Sequence, residues 1–256
     1  MNGSIDRERT ASEPQDRSSS VAHSIEVPSE IIRKWQEFVN LLAEIMHVPS
    51  ASIMRADPPH IKVFVSSTSE GNPCEPGALD TGPYCETVMK TGQPLLVPDA
   101  LENEAWKANP HVRAGMISYL GVPIGWPDGR LFGTICVRDN KRNEYSEAYL
   151  KLLLHFRDML QADLNSLVRL HGEIDEREAK IRRSEANLAE AQRLSHTGSW
   201  AIDPAMTKIF YWSEECYRIW GFDPAQGLPN RETVWRRIHP NDRDRIYRET
   251  QEALRQ

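Results

Sequence analysis

Six apolar residues spaced seven apart, Leu153, Leu160, Leu167, Ile174, Ile181 and Leu188, constrain this chain more than any other feature. A seven-residue apolar repeat held over this length is the mark of a long helix that supercoils with another. With these as a positions, the d positions are Phe156, Asp163, Leu170, Arg177, Ser184 and Ala191, so half of the second seam is polar. Over 152–170, Leu152, Leu154, Met159, Leu164 and Val168 widen the stripe to the width of a globular contact. Beyond Leu170 it narrows to little more than one residue per heptad, while Glu173, Asp175, Glu176 and Glu178 crowd in. The spacing predicts one helix from Tyr149 to Leu194, its first half packed on its own domain and its second half paired with a twin. Residues 161–193 are expected to be a coiled-coil signalling helix, with the homodimer contact spread over 153–191.

Before this helix the chain reads as one α+β domain. Residues 1–27 carry few large apolar groups and are expected to form a disordered tail. From Pro28, residues Ile31, Ile32, Trp35, Phe38, Val39, Leu42 and Ile45 recur at helical intervals, and Pro49 ends the pattern. Strand-like runs follow at 51–56 and 61–65, then a loop from Gly71 to Pro83 and a short helix over 84–90 closed by Gly92. Leu95-Leu96-Val97 is a brief strand, and 102–109 a helical turn stopped by Pro110. Two longer apolar strands, 118–126 and 130–138, flank the turn Pro127-Asp128-Gly129. Hairpin-joined strands with helices outside them argue for an antiparallel sheet flanked by helices over 28–160.

After Gly198 the helical pattern stops. Two strands are expected at 199–203 and 208–212, with Trp200, Ile202, Ile209 and Tyr211 alternating onto one face. Ser213 followed by Glu214 and Glu215 is an N-cap with acids in the first turn, and that helix ends at Gly221. Helices over 232–238 and 242–255 complete the segment.

The formal net charge of −6 gives no electrostatic footprint for nucleic acid. No run of apolar residues is long enough to span a membrane, and the first residues lack the apolar core of a signal peptide, so a cytoplasmic protein is expected. Cys74, Cys85, Cys136 and Cys216 match no zinc or redox spacing and read as packed thiols. No metal site or catalytic residue is expected.

Tyr84-Cys85-Glu86-Thr87-Val88, Pro94 to Ala100, Tyr119-Leu120-Gly121-Val122-Pro123-Ile124 and Phe132-Gly133-Thr134-Ile135-Cys136-Val137 together resemble a GAF domain, a ligand-binding and signalling module. Ala191 to Trp200, Tyr211-Trp212-Ser213-Glu214-Glu215, Tyr217 to Phe222 and Ile238-His239-Pro240-Asn241-Asp242-Arg243 resemble the first half of a PAS fold, here a partial PAS domain over 194–256. The order GAF, helix, PAS is similar to that of bacterial sensor histidine kinases and diguanylate cyclases. The resemblance implies a sensory input region with a downstream kinase or cyclase domain outside these residues.

Specific GAF chemistries find little support in the residues. His155 and His171 lack the sequence context of a phosphoacceptor histidine, and the cysteines lack that of bilin attachment. His111 is the candidate axial ligand for a haem, but it lies in a loop-like run. By resemblance, the lid of a GAF pocket is 106–116 and its floor includes Tyr119 and the strand over 132–137. The expected site for an unidentified small-molecule ligand is Cys85, Trp106, Met116, Tyr119 and Cys136, with the cofactor unknown. Cys85 reads first as a packed thiol; the alternative is a thiol whose pKa the backbone amides at the start of a helix lower. A rival reading is a GAF-fold redox enzyme of the free methionine sulfoxide reductase type, which needs Cys85 and Cys136 within reach of each other.

Overall fold

The computed structural model describes residues 25–203 and 208–253. The expected tail over 1–27 lies outside the described residues except for 25–27, of which Ile25 and Val27 are buried in the core. The chain divides into two compact units, 1–172 and 173–256.

In the first unit, helix α1 (Ser29–Met46) leads into strands β1 (Ser50–Asp57) and β2 (His60–Ser66). Within the expected loop 71–83, a two-residue strand β3 (Leu79–Asp80) adds to the sheet edge. Helix α2 (Pro83–Thr91) ends at Gly92, whose positive φ of 65° is easy only for glycine. Strand β4 (Leu95–Val97) precedes two single-turn helices, α3 (Glu104–Lys107) and α4 (Pro110–Arg113). Pro110 therefore opens a helix rather than stopping one: at the first helical position its missing N–H costs nothing. Strands β5 (Ser118–Gly125) and β6 (Leu131–Asp139) form the expected hairpin. The six strands pair antiparallel in the order β3-β2-β1-β6-β5-β4.

The pleat of β6 sorts the core into two layers. Ile135 and Val137 face one side, where they join Ala51, Ile53, Leu120, Val122 and the buried stripe Trp35, Val39, Leu42 and Met46 of α1. Ile45, expected on this stripe, is 41% exposed. Cys136 points the other way, into a smaller cluster with Met54, Tyr84, Cys85 and Tyr119.

Helix α5 (Glu147–Ser195) runs 49 residues. Leu153, Phe156, Leu160, Leu164 and Leu167 are buried in the larger cluster, so the first three a positions belong to the domain core. Asp163, a polar d position, accepts hydrogen bonds from Lys34 Nζ at 2.8 and 2.9 Å and from Trp35 Nε1 at 2.9 Å. Past Leu170 the character changes: Ile174, Ile181 and Leu188 are 44, 57 and 55% exposed.

In the second unit, strands β7 (Trp200–Ile202) and β8 (Ile209–Trp212) pair antiparallel with a bulge at Ala201/Ile202. The extra residue changes the alternation, so Ile209 and Trp212 are buried while Tyr211, expected beside Ile209, is exposed. Ser213 caps helix α6 (Glu214–Trp220) by accepting from Cys216 N. Helices α7 (Arg231–Arg237) and α8 (Pro240–Ala253) follow. Trp212 packs edge-on against Tyr217 and Phe222 at 5.4 and 5.6 Å, the centre of this small core.

The role of Asp163 is testable. A coiled-coil d position would welcome leucine, whereas here Asp163→Leu leaves the fully buried Trp35 indole N–H without its acceptor. We expect urea unfolding to show a loss of about 1–3 kcal/mol, with little from the half-exposed Lys34.

Candidate functional site

Strand alternation places Arg138 on the same face of β6 as Cys136, and the β5–β6 register sets it opposite Tyr119. Arg138 has no exposed surface. Its guanidinium donates to Asp80 Oδ2 at 3.1 Å, to Cys74 Sγ at 3.0 Å and to Cys85 Sγ at 3.4 Å. It also sits 5.9 Å from the Tyr119 ring centre. Asp80, at the end of β3, accepts from Gly82 N at 2.9 Å and pairs with His111 Nε2 at 2.7 Å.

Rings extend the cluster outward. Tyr84 stacks on Tyr119 at 4.7 Å and lies parallel to His111 at 6.0 Å, with Trp106 tilted against it at 5.3 Å. Two glycines permit this packing: a Cβ at Gly121 would collide with the Tyr119 ring, and one at Gly82 with the His111 ring. Asn109 caps α4 through His111 N. Cys85 Sγ lies 3.4 Å from Tyr119 Oη and 3.9 Å from Cys136 Sγ.

The electrostatics follow from burial and pairing. Burial pushes the Asp80 carboxyl up, but the hydrogen bond with His111 and the Arg138 charge more than offset this and hold it at about 2. Burial opposes the Arg138 charge, yet Cys136, Cys85, Cys74 and Asp80 around it raise its pKa. Burial raises the Tyr84 hydroxyl to about 12. The Cys85 thiol is also raised, because burial shuts it off from solvent, and its place at the start of α2 does not offset this.

Three of the five expected residues, Cys85, Tyr119 and Cys136, meet here, and Trp106 reaches the cluster through Tyr84. Met116 is buried but does not join it. The sequence reading missed Arg138, Asp80, Cys74 and Tyr84 as site residues and considered His111 only for haem. The Nε2 that would ligate iron is instead engaged by Asp80. Alternation along β6 was the available signal, since it puts Arg138 beside Cys136 in an apolar strand, where a charge requires an acidic partner. The Tyr84 hydroxyl, raised by burial, is lowered in part by a hydrogen bond with Asn109, whereas Arg138 Nε and Thr134 Oγ1, on the same face of β6, are buried and have no hydrogen-bond partner among the described residues. Such donors suit a small acceptor-bearing molecule or ordered water. No group of three or more His, Cys, Asp or Glu able to hold a metal occurs among the described residues.

The low Asp80 pKa has a signed consequence. A depressed carboxyl stabilises the fold above about pH 4, and that contribution is lost as pH falls toward about 2, roughly 2 kcal/mol in all. Asp80→Asn should lack this acid step. It should also lose about 3–5 kcal/mol at neutral pH by leaving Arg138 buried with its charge unpaired. Urea unfolding of both proteins across the acid range checks this, and superimposable pH profiles would refute it.

Comparison with known proteins agrees with this architecture. The GAF domain family model matches residues 30–162, and a PAS fold model matches 209–256. Solved structures with a similar fold include the GAF domain of an Acinetobacter phosphoenolpyruvate-protein phosphotransferase (17% identity, 61% of this chain and 93% of that one, TM-score 0.44). Others are a red/green cyanobacteriochrome in its red light-absorbing state (12%, 56% and 98%, 0.48) and the type II free methionine-R-sulfoxide reductase of Thermoplasma acidophilum (17%, 54% and 95%, 0.43). No curated protein matches the chain. With the family model spanning more than half of its residues, this chain belongs to the GAF domain family and carries a PAS fold after its long helix.

Proposed function

We propose that this chain is the sensory input region of a bacterial two-component protein. In this reading the GAF domain binds a small ligand beside Arg138, and α5 pairs with its copy in a second chain. Ligand occupancy biases that helix pair, and the change passes to the PAS domain and on to an output domain of histidine kinase type. A diguanylate cyclase output would use the same input logic. A coiled coil suits this role because its packings are discrete and a sensor can favour one over another.

The observation that carries the reading is the change in α5 at Leu170. The helix is anchored in the GAF core through Leu153, Leu160 and Leu167, and then presents Ile174, Ile181 and Leu188 to solvent at the same seven-residue spacing. One apolar residue per heptad is too narrow for a globular neighbour and fits a twin helix, with the flanking charges kept in water. The buried, unpartnered Arg138 Nε supports a polar ligand on the opposite side of the sheet. Among the described residues no helix is long and apolar enough to cross a membrane, in keeping with a cytoplasmic sensor.

A second reading, a free methionine sulfoxide reductase, is favoured by the contact between Cys85 and Cys136. Such an enzyme needs a thiol its substrate can reach, and both are fully buried. Turnover of free methionine sulfoxide that disappears in Cys85→Ser would favour this reading over the sensor.

Sedimentation of the 256-residue chain tests the pairing. The native chain should be a dimer, and Ile174→Asp a monomer with an unchanged GAF domain, because the new charge falls on the pairing seam and not in the core. A native chain that stays monomeric at high concentration would overturn the proposal.

A further inference from the structure

We propose that Cys85 and Cys136 form an oxidisable thiol pair, converted by a peroxide into a disulfide that ties α2 to β6 in the GAF core. The inference does not depend on the chain being a dimeric sensor. Their sulfurs lie 3.9 Å apart, at van der Waals contact, with 51 residues of sequence between them. Bond formation requires the sulfurs to close to about 2.05 Å. The surroundings suit sulfur chemistry: the Arg138 guanidinium lies 3.4 Å from Cys85 Sγ, and the Tyr119 hydroxyl at the same distance. A cation in hydrogen-bonding contact favours the anionic form of a thiol cluster. Either sulfur of the pair can donate the hydrogen bond to the other, and burial opposes ionisation of both. Either thiol can be oxidised first and be resolved by the other, since the two sulfurs are in mutual contact.

The chemistry balances with hydrogen peroxide as the oxidant, a molecule little larger than water and far smaller than free methionine sulfoxide. One thiol of the pair, as its thiolate, attacks one peroxide oxygen, the O–O bond breaks, and the departing hydroxide takes up the proton that this thiol released to become water. This leaves a sulfenic acid on that cysteine. The sulfur of the other cysteine then attacks the oxidised sulfur, the S–O bond breaks, and hydroxide leaves with the second thiol's proton as a second water. Two thiols are oxidised and one peroxide is reduced. The closure pulls on a central strand, since β6 lies between β1 and β5 in the sheet.

The test uses the whole chain. After reduction and removal of the reductant, it is treated with hydrogen peroxide, its remaining thiols are alkylated in denaturant, and its peptides are mapped by mass spectrometry. We expect two of the four thiols to become unlabelled, one linked peptide pair joining Cys85 to Cys136, and reversal by dithiothreitol. Cys216→Ala should behave as the native chain, and Cys136→Ser should form no such link. An internal control needs no variant. In the chain unfolded in guanidinium, loop closure favours the nearest thiols, Cys74 and Cys85. The folded chain should instead select Cys85 and Cys136. Four labelled thiols after treatment of the folded chain, or a folded-state link between Cys74 and Cys85, would overturn the proposal.

Discussion

A guanidinium with no exposed surface must find its partners within its own domain, and much of the GAF unit is arranged to supply them to Arg138. Leaving such a charge unpaired would cost several kcal/mol, comparable to a large share of a domain's net stability. Asp80 supplies the countercharge, and Cys74 and Cys85 accept further hydrogen bonds. This explains why a two-residue strand such as β3 holds its place at the sheet edge: its last residue is half of a buried ion pair. It also explains why His111 and its single-turn helix close over the site, since the imidazole completes the Asp80 shell.

The two faces of the sheet therefore hold in different ways. Toward α1 and α5 the core is aliphatic and aromatic, with non-directional burial as its main source of stability. Toward α2 the core is smaller, and hydrogen bonds, ring stacking and sulfur contacts fix its geometry. Directional interactions of that kind specify one arrangement more narrowly than apolar burial does. The aliphatic face, in turn, anchors the helix that leaves the domain.

That helix shows how one periodic pattern can serve two purposes. Its seven-residue spacing is unbroken from Leu153 to Leu188, yet the first half is a component of a globular core and the second half is not. Asp163 marks the difference. Read along the heptad it is a defect in the d seam, whereas in the fold it is the acceptor for Trp35 and Lys34. Its polarity is required by a neighbour more than a hundred residues away.

The local content of the sequence determined the elements. Apolar spacing gave α1 and α5, β-branched runs between turn residues gave β1, β2, β5 and β6, and glycines at positive φ closed α2 and α6. The GAF and PAS resemblances were legible for the same reason, because their motifs are short runs at fixed order. What only the tertiary structure decided was every relation between distant segments: that Asp80 meets Arg138, that Cys85 meets Cys136, and that Met116 stays apart from them. Bounds and faces also shifted where one residue altered a phase, as at the bulge that buried Trp212 in place of Tyr211. Periodicity records which side of an element is apolar, but it does not record what that side is packed against. That choice is set by strand order, register and the need to satisfy each buried charge, none of which is a property of a single segment.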